Sequence, residues 1–140
     1  MIEYTDSLED ITADKLEGFF VGWPNPPSAE THLKILEQSY YVILAVDTDA
    51  DRVIGFVNAI SDGLLSAYLP LLEVLPEYQG QGIGQELMRR VLARFEDMYM
   101  VDLLCDRDLQ PFYEKLGMKP VSAMMVRNFE RQCGRKVQHM

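Results

Sequence analysis

The stretch that decides the fold is LEVLPEYQGQGIGQELMRR, Leu72 to Arg90. A hydrophobic run is cut by Pro76, glycines follow at positions 80, 82 and 84, and a helical pattern begins at once. Glycine loses more conformational freedom on folding than any other residue, so three in alternation need a reason. A strand-to-helix turn exposes unpaired N–H groups at the positive end of the helix dipole, which suits an anion. Glycines let the backbone curl and approach that anion with no Cβ in the way. The pattern reads as a backbone cradle for a phosphate or pyrophosphate; the alternative is a tight strand–helix joint with no ligand. The dinucleotide fingerprint needs G-x-G-x-x-G and the P-loop needs Gly-Lys-Ser or Gly-Lys-Thr. Here the glycines are followed by Gln85 and Glu86, so both nucleotide motifs fail.

Working outward, Leu87, Met88, Val91, Leu92 and Phe95 repeat at helical spacing, with Arg89, Arg90, Arg94 and Glu96 on the other side. Upstream, Ile2 to Thr5 reads as a strand and Leu8 to Val21 as a helix, broken by the proline loop GWPNPPS. Ser28 is placed to cap a second helix, with Glu30 at its positive end. Tyr40 to Val46 and Arg52 to Ile60 read as antiparallel strands joined by the turn DTDAD. Leu64 to Leu75 reads as a third strand, with Pro70 marking a bulge or an unpaired edge.

Downstream, Tyr99 to Cys105 is a strand and should lie parallel to the third, because a helix crosses between them. A short helix follows, capped by Asp108, with Pro111 in its first turn and Gly117 as its stop. Pro120 to Phe129 supplies one or two final strands, and residues 131–140 read as a loose tail. The fold class is α/β (α+β): a mixed, mostly antiparallel sheet of about six or seven strands flanked by about four helices, in one domain over residues 1–140.

Composition narrows the function. The 140 residues are 48% hydrophobic, enough for a core, and carry a net charge of -9. Such an acidic chain repels a phosphate backbone, which argues against nucleic acid as a general partner. An anionic ligand must instead be held by local donors. Cys105 and Cys133 show no metal-ligand spacing and are too few for a disulfide framework, so reduced thiols in a cytoplasm are expected. The N-terminus lacks a secretory pattern, and no run approaches the roughly 18 apolar residues of a membrane span. His32 and His139 stand alone, so no metal site is expected.

The segment Gln79-Gly80-Gln81-Gly82-Ile83-Gly84 resembles the Gln/Arg-x-x-Gly-x-Gly/Ala motif of the GNAT N-acetyltransferase superfamily. The preceding EVLPEY and the later FYEKLGM, Phe112 to Met118, resemble that family's neighbouring motifs. The resemblance is specific from Leu69 to Pro120 and weak before Tyr40. It implies that acetyl-CoA is the cosubstrate, its pyrophosphate held by Gln79 to Gln85 and with Phe112 in the same binding group. It also implies that the strand ending near Val74 splays from the strand of Val101 to Leu104, leaving a gap for the pantetheine arm. The oxyanion donor would be a backbone N–H near Val74 or Leu75. Asp106 stands where the family often has an asparagine touching pantetheine; an ionised acid accepts but cannot donate.

Acetyl transfer needs an amine that loses a proton, a polarised carbonyl and a protonated leaving thiol. Glu73 interrupts the apolar LPLLEVLP and is the candidate base, on the argument that apolar surroundings raise a carboxylate's pKa; pointing to solvent or pairing with an arginine is the alternative. Tyr113 falls on the border of the buried helix side, and by resemblance its hydroxyl serves the CoA sulfur as general acid or sulfur partner; a packing aromatic with its hydroxyl at a wet edge is the alternative. Arg89 and Arg90 either meet the 3'-phosphate or form a solvated face. Cys105 is read as structural. The first helices and their loop border the acceptor in this fold, which brings in Phe19, Phe20 and Trp23, with Asp62 from a later turn. An aromatic, acidic pocket suits a protonated amine; Trp23 could equally be a packing plug. The partners expected are acetyl-CoA and a small primary amine, with no nucleic acid, no membrane, and a homodimer as an allowed assembly. A non-catalytic acyl-CoA sensor and a protein or peptide N-acetyltransferase are the rival readings.

Overall fold

The computed structural model describes residues 1–134. Six strands form one sheet: β1 (Ile2–Thr5), β2 (Tyr41–Asp47), β3 (Arg52–Ser61), β4 (Ser66–Tyr68), β5 (Leu72–Val74) and β6 (Met100–Asp102). Its order is β1-β2-β3-β4-β6, with β5 also paired to β3. All pairs are antiparallel except β4 with β6, which run parallel across the α2 crossover. The helices are α1 (Ala29–Glu37), α2 (Ile83–Arg94) and α3 (Gln110–Glu114).

Apolar spacing explains most of this. β2 and β3 are continuous apolar runs, and Val42 to Ala45 and Val53 to Ala59 are buried, as strands covered on both faces require. α2 presses Ile83, Leu87, Met88 and Val91 onto them. Ser28 caps α1 as expected, its Oγ accepting from the Thr31 N–H at 3.1 Å.

Four expectations are corrected. Leu8 to Val21 is not a helix; only Ala13–Leu16 forms a 3-10 turn. The apolar spacing is helical, but Gly18 sits at φ 96 and Phe20 at φ 63, and the Phe20 and Val21 amides bond a distant carboxylate instead of helix carbonyls. The third strand is split, β4 and β5 being separated by Leu69 to Leu71. The strand of Tyr99 to Cys105 shrinks to Met100–Asp102. Finally, Pro120 to Phe129 forms no strand: residues 119–128 carry no regular structure and make no ladder. The tail starts with a 3-10 turn, Phe129–Arg131, and is tied back where Asn25 N–H donates to Gln132 Oε1 at 3.0 Å. Residues 135–140, with His139 and the rest of the expected loose tail, lie outside the described residues.

Candidate active site

The break at Leu69 to Leu71 builds the site. β4 pairs with β3 through Ile60↔Tyr68 and Ser61↔Ala67, while β5 pairs through Gly55↔Val74 to Val57↔Leu72. The register on β3 slips by one residue between the two, which is a β-bulge. Pro70 has no N–H to give to a ladder. Asn58 bridges the gap: its own N–H donates to Leu71 O at 3.2 Å, and its Oδ1 accepts the Leu71 N–H at 3.1 Å. The Nδ2 donates to Ser39 Oγ at 3.1 Å. Asn58 is buried, and these bonds satisfy it. Its role was missed in the sequence, where the one signal was a lone polar residue inside RVIGFVNAI.

Past the bulge, β5 follows β3 and leaves β6. The last link across is Leu69 N–H to Asp102 O at 2.9 Å. Leu75 N–H donates to Ile54 O at 2.9 Å, so Leu75 is spent and cannot be the oxyanion donor. Alternate residues of a strand point their N–H groups to opposite edges, so the Val74 N–H faces the open side. Val74 O, on that same side, accepts from Gln79 Nε2 at 2.9 Å.

The glycine loop lies at the end of this opening. Gly80 and Gly82 take φ 80 and φ 82, and a Cβ on either would meet nothing within 4 Å. Gly82 is the N-cap of α2 with no side-chain cap bond. No backbone or side-chain acceptor among the described residues takes the N–H groups of Gly80, Gln81, Gly82, Ile83, Gly84 or Gln85. Gly84 does something different: its missing Cβ would lie 3.7 Å from Phe112 Cζ and 3.8 Å from Val74 Cγ2. Phe112 therefore packs α3 against the loop at Gly84. Glu86, next to the loop, is paired with Arg89 and with Arg90 at 2.7 Å. The two arginines form a paired surface face, as the second reading had it, and they offset a carboxylate that would otherwise oppose an anion.

An open cleft of about 1760 Å³ runs along the parted strands, lined by Glu73, Asp106, Cys105, Tyr113, Phe20 and Trp23 among others. Burial, reinforced by Cys105, raises the Tyr113 pKa above the usual phenol range, so Tyr113 keeps its proton at neutral pH. Burial also raises the Cys105 pKa, and Asp106 and Asp108 add to it; an un-ionised thiol agrees with a structural role. Asp106 reaches the cleft as the residue ahead of the 3-10 turn Arg107–Leu109, its side chain making no capping bond.

Glu73 is in the cleft, but its surroundings are not the apolar ones expected. Its Oε1 accepts the Phe20 N–H at 2.8 Å and its Oε2 the Val21 N–H at 3.2 Å. Each oxygen keeps a lone pair for a further proton. The same contacts fix Phe20 at the cleft wall. Trp23 leans on it at 4.9 Å and stays 36% exposed, so it is a wall residue rather than a buried plug. Phe19 is buried in the core. Asp62 is not brought to the cleft: its Oδ1 accepts the N–H groups of Leu64, Leu65 and Ser66, which hold its pKa down at about 2. It shapes a turn.

Comparison with known proteins agrees with this geometry. The family model of the acetyltransferase (GNAT) family matches residues 8–118. The chain belongs to the GNAT family. It is an N-acetyltransferase, and the family uses acetyl-CoA as cosubstrate. A crystal structure from Deinococcus radiodurans R1, named as a candidate acetyltransferase, shares 50% identity at a TM-score of 0.93, covering 97% of this chain and 94% of that one. A GNAT family protein from Streptococcus pneumoniae TIGR4 shares 31% identity at a TM-score of 0.68, covering 91% and 97%. An uncharacterized N-acetyltransferase, ycf52, from Porphyra purpurea is 26% identical over 81% of this chain and 68% of its own length. Other GNAT relatives are longer; the chain spans 46% of a chloroplastic one from Arabidopsis thaliana. No helix among the described residues is long and apolar enough to cross a membrane.

Proposed function

We propose that the chain transfers the acetyl group of acetyl-CoA to a small primary amine by direct attack with both substrates bound. The observation that carries this is the parting of β5 from β6, which opens a cleft lined by Gln79 at the start of the glycine loop and by Tyr113 and Glu73. The loop fits the pyrophosphate because its N–H groups lack acceptors and its left-handed glycines leave the space before them empty. Acetyl-CoA supplies the activated acetyl group. The Val74 N–H points where charge develops on the carbonyl oxygen. Tyr113 Oη holds a proton through burial and gives it to the departing sulfur. A Glu73 oxygen takes the amine proton, directly or through one water, while its other bonds keep it in place. Phe20 and Trp23 beside the Glu73 carboxylate form a wall that favours a cationic amine. Cys105 and Cys133 are both free thiols, which supports a reducing, cytoplasmic setting.

The test is thiol release from acetyl-CoA across a panel of amines and peptides. Turnover with small amines that falls in Tyr113→Phe and Glu73→Gln supports the assignment. Turnover unchanged in both variants removes these residues from the mechanism. Tight acetyl-CoA binding with no turnover identifies a sensor instead, and turnover with peptides alone a peptide acetyltransferase.

A further inference from the structure

The glycine loop is fixed at its far end by packing and at its near end by polar contacts. At the far end, Ile83, Leu87, Met88 and Val91 of α2 are buried. At the near end stands the 3-10 turn Pro76–Tyr78, which leads through Gln79 into Gly80. The Tyr78 and Gln79 N–H groups bond only within that turn, to Leu75 O at 2.9 Å and Pro76 O at 3.3 Å. Gln79 Nε2 reaches back only to Val74 O, five residues away. The tie to another element is made by a side chain: Tyr78 Oη donates to Asp47 Oδ2 at 2.6 Å.

Asp47 is well placed to receive it. It ends β2, opposite Arg52 at the start of β3. Its Oδ1 accepts the Asp49 and Ala50 N–H groups at 3.1 and 3.4 Å, which fixes the carboxylate and leaves Oδ2 for Tyr78. The side chain is 16% exposed. The Tyr78 bond is the first reason that the Asp47 carboxyl lies below its usual range, ahead of the Asp49 and Ala50 amides. It therefore accepts as an ion at neutral pH, and bonds to an ion are shorter and stronger than neutral ones. Across the same rung, Arg52 Nη1 lies 4.0 Å from Glu77 Oε1, but Glu77 is exposed to water, where such a pair adds little. Consecutive residues of the turn thus meet the two residues of one rung, and the hydroxyl bond is the stronger tie.

We propose that Asp47 is a positioning residue for acetyl-CoA: through the Tyr78 hydroxyl it holds the entry of the glycine loop so that the loop amides converge on the pyrophosphate. Neither Asp47 nor Tyr78 lines the cleft, so both act through the backbone. The inference rests on reading the loop as the pyrophosphate site. Tyr78 gives a fixed point two residues before Gly80, and nothing lies within 4 Å of where a Cβ on Gly80 or Gly82 would be. Released at Tyr78, the amides spread over more orientations, and the anion has to order them as it binds, which costs affinity. The sign of the effect is distinctive. Removing a carboxylate from a chain of net charge -9 favours an anion by charge alone, whereas losing the anchor weakens its binding.

The experiment titrates the full chain with acetyl-CoA and with acetyl-pantetheine, which carries the same thioester and no phosphate. Acetyl-CoA affinity should fall about tenfold in Tyr78→Phe and in Asp47→Ala. Tyr78→Phe combined with Asp47→Ala should lose no more than either alone, since both remove one bond. Acetyl-pantetheine should bind all of them within about twofold of the wild type. Asp47→Asn keeps an oxygen for the turn and offers an amide to the Tyr78 oxygen, and should restore most of the affinity. If Asp47→Ala fails to fold, Tyr78→Phe keeps the ring, removes only the hydroxyl and decides the matter by itself. Equal losses for both donors mark general damage and overturn the inference, as does acetyl-CoA binding that is unchanged or tighter in Tyr78→Phe. Losses that multiply in the combined variant also overturn it. A wild type that binds both donors alike removes the pyrophosphate reading of the loop and this inference with it. A wild type that prefers acetyl-CoA, with the preference intact in Tyr78→Phe, removes this inference alone.

Discussion

The glycine loop, Gly80 to Gln85, and the strap, residues 119–128, both present backbone N–H groups with no acceptor among the described residues, yet they ask for opposite partners. In the loop the free N–H groups converge at a helix start, with left-handed turns at Gly80 and Gly82 and no side chain over them. Donors without acceptors, gathered at the positive end of a dipole, call for an anion. In the strap, N–H and C=O follow one another along a segment without regular structure that exposes Val121, Met124, Met125 and Val126. Donors alternating with acceptors call for another strand. The difference lies in how the unpaired groups are arranged in space, not in how many there are.

The strongest way to break this contrast is at the loop. Gly80→Val with Gly82→Val places β-branched side chains at positive φ and fills the space before the amides. We expect acetyl-CoA affinity to fall roughly 100-fold by calorimetry. Val126→Ser in the strap, at an 83% exposed side chain, should leave that affinity unchanged. An equal loss in both variants would show the two regions to be one unit.

Between these regions, Tyr113→Phe should lower kcat by about 100-fold with little change in the KM for acetyl-CoA. Steady-state kinetics separates that from a packing loss, which would raise KM as well. Asn58→Leu leaves the Leu71 N–H without its acceptor. Urea unfolding should show a loss of about 1–3 kcal/mol.

His32 gives a smaller effect, and one that depends on pH. It is buried among Phe19, Phe20 and Phe56 at 5.3, 4.9 and 4.4 Å, and neither ring nitrogen has a partner among the described residues. Burial lowers its pKa from 6.5 to about 4. The unfolded chain therefore takes up the proton first, and stability falls as pH drops from 6.5 towards 4. At pH 4.5 the loss is about 2 kcal/mol relative to neutral pH. Urea unfolding of His32→Leu at both pH values should lack that part of the slope. Smallest of all, Asp62→Ala should lower the melting temperature while leaving kcat/KM for the amine within about twofold, because Asp62 bonds its own turn and not the cleft.

What was legible in the sequence follows from how local each cause is. Ser28 capping α1, the glycines opening α2 and the β2–β3 hairpin are set by residues a few positions apart, and they were readable. Leu8 to Val21 was misread because its apolar spacing matches a helix. The cause of its actual shape is Glu73, far along the chain, which takes the Phe20 and Val21 amides. Glu73 and Tyr113 were found as cleft residues, but the environment of Glu73 was not, since the same distant contact creates it. Pro70 announced an irregularity, whereas the residue that stabilises it, Asn58, sits on another strand. Phe112, which the resemblance groups with the ligand, packs against Gly84 of the loop. Pro120 to Phe129 has the composition of a strand; what sequence could not say is that no strand among the described residues pairs with it.

The bonds of Asn58 carry a wider consequence. A side-chain amide there takes the place of a main-chain carbonyl, so the parting of the sheet is stitched from inside and does not wait for a ligand to wedge it open. The slot between β5 and β6 is then built into the fold, with its mouth set by a buried residue that is not part of the cleft lining. Selection could tune acceptor preference along the exposed walls, at Trp23 or the strap, without disturbing the donor slot. Changes at Asn58 would instead alter every substrate alike.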